Sequence, residues 1–249
     1  MNNNIWVVLG LAFLPALGNF CGGLLAERFA VPARRLNKAL HASAGVVLAV
    51  VAVELMPEAL ANIPAWGVAF GFGLGGLAYV AIARLMDRLQ GNKKGQSQLG
   101  MWMIFVAVSV DLFSDGLMIG AGSTISLGLG LVLAFGQVLA DIPEGYATIA
   151  NMKDKGVSRS RRLLLSASFT IPVMGAALLA YFLLQGREAS WQMGALSFTA
   201  GLLTVAAVED MLSEAHESAE DTHYSLLAFV GGFVLFILVS AGLGAALGV

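Results

Sequence analysis

Charged side chains make up only 12% of the 249 residues, against 58% hydrophobic ones. With a mean hydropathy of +0.81 and long apolar runs, the chain reads as an integral membrane protein. Cysteine is nearly absent. Cys21 alone allows no internal disulfide and no cysteine metal cluster. Histidine is scarce too, with only His41, His216 and His223. The net charge of −2 says little, but its distribution is informative.

Eight spans can be drawn, at 4–27, 41–60, 65–87, 100–121, 127–152, 161–185, 191–213 and 224–248. Each is long enough, at about 1.5 Å per residue, to cross a hydrocarbon core about 30 Å thick. They use nearly the whole chain, so 1–249 is expected to be one transmembrane domain with no soluble module. Of the 14 Lys and Arg residues, 13 fall after spans 1, 3 and 5, and only Arg187 lies on the other side. The positive-inside rule makes the rich side cytoplasmic and both termini external. Trp6, Trp66 and Trp191 fall at outer ends of spans and Trp102 at an inner end, as an interfacial belt requires. Met1-Asn2-Asn3-Asn4 has no basic region, so span 1 is expected to be retained rather than cleaved. A bacterial inner membrane is the expected location.

The chain carries a weak internal repeat. Ala44-Gly45, Glu54 and Glu58-Ala59 align with Ala200-Gly201, Asp210 and Glu214-Ala215 at an offset of 156 residues. Leu14-Pro15-Ala16-Leu17-Gly18 resembles Ile171-Pro172-Val173-Met174-Gly175 at an offset of 157. Spans 1–3 then correspond to spans 6–8. An odd number of spans separates the partners, so the blocks point opposite ways, as in many alternating-access transporters. The alternative is that any two small-residue helices look alike.

Spans 4 and 5 have no counterpart, and they carry four acids. Asp111 and Asp115 are spaced i, i+4, and Asp141 and Glu144 i, i+3, so each pair shares a helix face. An acid at a bilayer centre costs roughly 2.5–3.5 kcal/mol on insertion scales, which makes such residues functional candidates. Pro143 lacks an N–H and frees the carbonyl of Leu139, so a kink with a loose oxygen beside two carboxylates is expected. Gly116 and Gly145 would let helices approach closely. Ser114 and Gln137 could add neutral oxygens. Four facing carboxylates do not all stay ionised unless cations or protons offset them. An all-oxygen ligand set suits Mn, Fe(II), Mg or Ca, although Zn also accepts carboxylates. The alternative is that the acids only bond neighbouring helices or backbone.

These residues resemble the paired motifs of ZIP-type (Zrt/Irt-like) divalent metal transporters. In that family span 4 carries an H-N-x-x-E-G type motif and span 5 an H-N-x-P-E-G type motif. Here Asp111, Leu112, Asp115 and Gly116 stand at the named positions of the first motif. Ala140 and Asp141 stand at the His and Asn of the second, and Ile142-Pro143-Glu144-Gly145 matches it. Glu54-Leu55-Met56-Pro57-Glu58 also resembles the family's second span. The resemblance covers most of the chain. It implies an all-α membrane fold of eight helices in a 3+2+3 arrangement, with inverted repeats around spans 4 and 5. It also implies a metal site at Asp111, Asp115, Asp141 and Glu144. The departures are the two missing motif histidines, one missing Asn, Ile171 where some members place a Glu before the span 6 proline, and no long His-rich loop after span 3.

The leading expectation is therefore a transporter, not an enzyme. It moves a divalent metal (Zn, Fe, Mn, Co or Cd) into the cytoplasm as substrate. Its partners are the ion and membrane lipid, with a homodimer allowed and no nucleic acid. Glu54, Glu209 and Asp210 are candidate pathway acids, with Asn19, Gln137 and Ser114 as further candidates. The other expected acids, Glu58 and Glu214, read as interfacial. His41 reads as an interfacial polar residue, and the acidic loop with His216 and His223 as solvated. The alternatives are a non-transporting metal sensor or scaffold, and a Mg-dependent intramembrane enzyme. The second is weakened because no basic residue lies near the acids to bind phosphate.

With Cys21 replaced by Ala, Lys155→Cys should react with a membrane-impermeant maleimide only after cells are permeabilised, whereas Arg187→Cys should react in intact cells. Labelling of Lys155→Cys from outside would overturn the orientation.

Overall fold

The computed structural model describes residues 5–90, 97–212 and 223–247, and among these it contains helices and no strand. Among the described residues eight helices are long and apolar enough to cross a membrane, the build of an integral membrane protein. They are α1 (Ile5–Arg28), α2 (Ala33–Asn62), α3 (Ala65–Gln90), α4 (Ser97–Ile125), α5 (Leu127–Asp154), α6 (Arg159–Leu184), α7 (Ala189–Ala206, continued by Ala207–Leu212) and α8 (His223–Leu247). All four tryptophans are exposed on the surface of the bundle.

Local chemistry explains where the helices depart from the hydropathy reading. α2 begins at Ala33 rather than near residue 41, because Arg34, Arg35, Leu36 and Lys38 are good helix formers and continue the helix beyond its apolar run. α6 is interrupted at Phe169, between Arg159–Ser168 and Thr170–Leu184. Pro172 has no N–H for the Ser168 carbonyl, and Phe169 N–H closes a tighter turn onto Ser166 O at 3.3 Å. α5, by contrast, runs through Pro143 as one uninterrupted helix. Beside that proline, the Ala140 carbonyl accepts the Ser43 hydroxyl of α2 at 2.9 Å. α2 and α7 each contain a π-helical stretch, Val50–Leu55 and Ala207–Leu212. These stretches begin 157 residues apart and carry Glu54 in one and Glu209 and Asp210 in the other. Single π turns within longer helices recur at functional sites.

The largest helix contacts are α1 with α5, α4 with α6, α2 with α8, and α3 with α7. Without a hydrophobic drive between helices in lipid, close backbone approach through small residues supplies the attraction. Gly22 lies on the Ile142 carbonyl, and Gly145 lies on the backbone of Asn19, so a Cβ at either would overlap main-chain atoms. Gly116 and Gly120 face the carbonyls of Val173 and Ala177 in the same manner. The glycines that marked the repeat also make contacts of one kind. Gly45 meets the Phe229 carbonyl of α8, and Gly201 meets the Phe72 carbonyl of α3. The other repeat match does not extend to packing, since Gly18 contacts Val138 while Gly175 meets nothing within 4 Å. Burial is unequal. Of the most apolar window of α2, 61% is inside the bundle, against 11% for α8, so α2 is central and α8 peripheral.

At the basic end of the bundle, polar contacts clamp α1, α5 and α6 together. Tyr146 Oη donates to Phe29 O at 2.9 Å and accepts from Val31 N–H at 2.7 Å, which fixes the α1–α2 connection. Lys153 Nζ caps the end of α1 by donating to Ala26 O at 2.9 Å. Arg162 Nε pairs with Glu27 Oε1 at 2.6 Å, with both side chains largely buried, and the exposed Arg159 adds a longer 3.6 Å contact. Gly156, at φ +72°, supplies the left-handed residue that ends α5, and Val157 N–H closes onto Met152 O at 3.0 Å.

Gly22→Ala should lower the melting temperature in detergent, by about 1–3 kcal/mol of overpacking. Gly10→Ala, on the same helix with nothing within 4 Å, should be neutral or slightly stabilising. Equal effects of the two would show that the α1–α5 contact is not as tight as described.

Candidate metal centre

The site is built on the α4–α5 hairpin, which turns at Ser126. The Ser126 hydroxyl caps α5 by accepting the Leu129 N–H at 3.0 Å. Asp115 and Gln137 each lie eleven residues from Ser126, and Asp111 and Asp141 each lie fifteen. At 1.5 Å per residue these pairs sit about 16 and 22 Å from the turn, so an antiparallel hairpin brings each pair to one depth. The structure obeys this register. Gln137 donates its amide N–H to Asp115 Oδ1. One carboxylate oxygen from each of Asp111, Asp141 and Glu144 lies within 4.8 Å of the others. Asp115 and Asp141 are fully buried, Asp111 nearly so, and Glu144 half-buried. Asp141 also lies within hydrogen-bond reach of Glu144 and within electrostatic reach of Asp115 and Asp111.

The spacing bears on what could bind. Oxygens at about 2.3 Å from a shared cation can be at most about 4.6 Å apart, so small side-chain adjustments would bring three oxygens onto one hard ion. None of the basic side chains of the described residues contributes to the interactions found at Asp115 and Asp141. A cluster of carboxylates at this depth calls for a cation or protons.

Of the four acids expected to form the centre, Asp111, Asp141 and Glu144 converge. Asp115 stands one helical turn away, tethered to Gln137. Gln137 therefore presents an N–H to Asp115, not an oxygen to the cluster, although its Oε1 is buried without a hydrogen-bond partner among the described residues. The buried Ser114 hydroxyl donates to Val110 O of its own helix at 2.8 Å. Asn19 on α1 is fully buried. Ile171 is 74% exposed, so a ligand at that position would point away from the bundle.

Glu54 accepts the Ser240 hydroxyl of α8. Together with Glu58, Ser126, Gly128, Ser240 and Ala241 it borders a cavity of about 360 Å³ at the same end as the hairpin turn. Glu58 also accepts from Asn62 Nδ2 at 3.2 Å. Glu209 is exposed on the π-helical end of α7. The Asp210 side chain, Glu214, His216 and the His223 side chain lie outside what the structure describes. His41, which reads as an interfacial polar residue, is buried, with Nδ1 3.0 Å from Asn37 O. The early start of α2 and the cover of α8, whose Ser225 donates to Asn37 Oδ1 at 2.7 Å, enclose it.

Sequence reasoning missed the Gln137–Asp115 bond, although counting outward from Ser126 would have found it. The Ser43–Ala140 bond had no signal in the sequence, because it depends on how α2 packs on α5. No protein-family model matches the chain, and no curated protein matches it.

If the cluster is a cation site, Asp141→Asn should raise metal-free thermal stability by removing like-charge repulsion. It should also weaken divalent-cation stabilisation by tenfold or more in apparent affinity. A fall in metal-free stability with an unchanged cation response would mark Asp141 as a structural acid.

Proposed function

We propose that the protein is a ZIP-type transporter that moves a divalent metal cation, zinc, iron, manganese or a similar ion, into the cytoplasm by alternating access. The observation that carries this reading is the convergence of Asp111, Asp141 and Glu144 within 4.8 Å, deep in a membrane-spanning hairpin. A second support is the cavity at Glu54 and Glu58, which would serve as an outer vestibule where carboxylates concentrate cations. The metal is the substrate, held by hard oxygen ligands. Its charge would offset that of the acids while the site changes sides.

We further propose the 3+2+3 arrangement with inverted repeats. Exchanging α1–α3 with α6–α8, and α4 with α5, turns the α1–α5 contact into α6–α4 and the α2–α8 contact into α7–α3. All four are the largest contacts. The two π-helical stretches and the Gly45 and Gly201 contacts follow the same exchange.

The packing supports a different moving unit from a repeat block sliding on spans 4 and 5. α1 grips α5 and α6 grips α4 through glycine contacts too tight for sliding, and Glu27, Lys153 and Arg162 clamp α1, α5 and α6 at the basic end. The unit that moves is then α1, α4, α5 and α6 together, against α2, α3, α7 and α8.

Proteoliposomes loaded with a metal-sensitive dye should show saturable uptake of at least one of Zn, Mn, Fe, Co and Cd, and Asp111→Asn/Glu144→Gln should abolish it. Cation binding without flux in well-folded protein would favour a sensor. Undiminished flux in the double variant would refute the carboxylate mechanism.

A further inference from the structure

α1 buries one polar side chain where it packs on the hairpin. Asn19 is fully buried, and neither its Oδ1 nor its Nδ2 has a hydrogen-bond partner among the described residues. Burying an amide without a partner is unfavourable, and buried polar groups are in general paired, so such a residue calls for a ligand or a reason.

Its surroundings supply one. Gly145, next to Glu144, packs directly on the Asn19 backbone. A Cβ built on the adjacent Gly18 would lie 3.6 Å from the Asp141 Cβ. Ala16, one turn earlier on the face Asn19 occupies, belongs to the same buried cluster as Leu112, the residue after Asp111. The neighbours of all three converging carboxylates thus border this part of α1, whose Asn19 packs on α5 and whose Ala16 packs on α4.

We infer that Asn19 Oδ1 is a further ligand of the divalent cation, a neutral oxygen contributed by α1 to the three carboxylates of α4 and α5. This rests on the metal-binding reading of the site and deepens it. A neutral oxygen raises the coordination number of a hard cation without adding charge to an already acidic cluster. It also couples the ion to α1, so a bound cation holds α1, α4 and α5 together in addition to their glycine contacts.

Calorimetric titration of the purified full-length protein with Mn²⁺, together with its metal-free melting temperature, tests the assignment. Asn19→Leu, close in size, should bind Mn²⁺ at least tenfold more weakly while melting no lower than the parent without metal. Asn19→Asp, which keeps an oxygen in place, should bind within threefold of the parent or more tightly. A purely structural amide would show the reverse pattern, with a lower metal-free melting temperature and unchanged affinity in Asn19→Leu. Equal affinity of parent and Asn19→Leu overturns the assignment, and so does loss of binding in Asn19→Asp. If Asn19→Leu does not fold, Asn19→Ser takes its place with the same expectations. A parent that binds none of Mn²⁺, Zn²⁺, Fe²⁺, Co²⁺ and Cd²⁺ overturns the cation site and this ligand together. Binding by the parent with no effect at residue 19 overturns the ligand alone.

Discussion

A carboxylate inside a hydrocarbon layer is costly, and this protein carries four on one hairpin. At roughly 2.5–3.5 kcal/mol each on insertion scales, four acids approach the whole stability of an ordinary domain, about 5–15 kcal/mol. They can persist only if the bundle encloses them and something offsets their charge. The hairpin accordingly occupies the inside of the bundle, with α1, α2 and α6 packed around it. Gln137 supplies one donor to Asp115, and Asp111, Asp141 and Glu144 converge beside it. The proposed cation transport would give that arrangement a use.

Glycine makes the enclosure tight. Gly22 and Gly145 at the α1–α5 contact, and Gly116 and Gly120 at the α4–α6 contact, bring backbones together where any Cβ would collide. Gly145 directly follows Glu144 of the converging cluster, and Gly116 follows Asp115. At the α1–α5 contact the residue that admits the neighbouring helix is thus a covalent neighbour of one that would bind the ion, so helix packing and ligand geometry are coupled there. The clamp of Glu27, Lys153, Arg162 and Tyr146 ties the same helices at the basic end. The opposite half of the bundle holds the acids of the two π-helical stretches.

Much of this was legible in the chain. Long apolar runs at low charge specify eight spans, because hydrocarbon leaves the backbone no partner but its own helix. The i, i+4 and i, i+3 spacing of the acids puts each pair on one face, and Ser126 at equal distance from matched residues sets the hairpin register. The errors have physical causes. Span 6 reads as one continuous apolar run, yet α6 is interrupted at Phe169, near Pro172. His41 read as interfacial because hydropathy does not register that α2 extends past its apolar stretch and that α8 covers it.

Periodicity and composition therefore determined the elements, their number, and which acids share a face, since these follow from the helix repeat and the cost of exposing polar groups to lipid. Only the tertiary structure decided which acids converge, that Asn19 lies buried against the hairpin, and which helices pair most closely. Those outcomes depend on backbone approaches between residues more than a hundred positions apart, such as Asn19 and Gly145 or Gly45 and Phe229, and no local pattern encodes such distances.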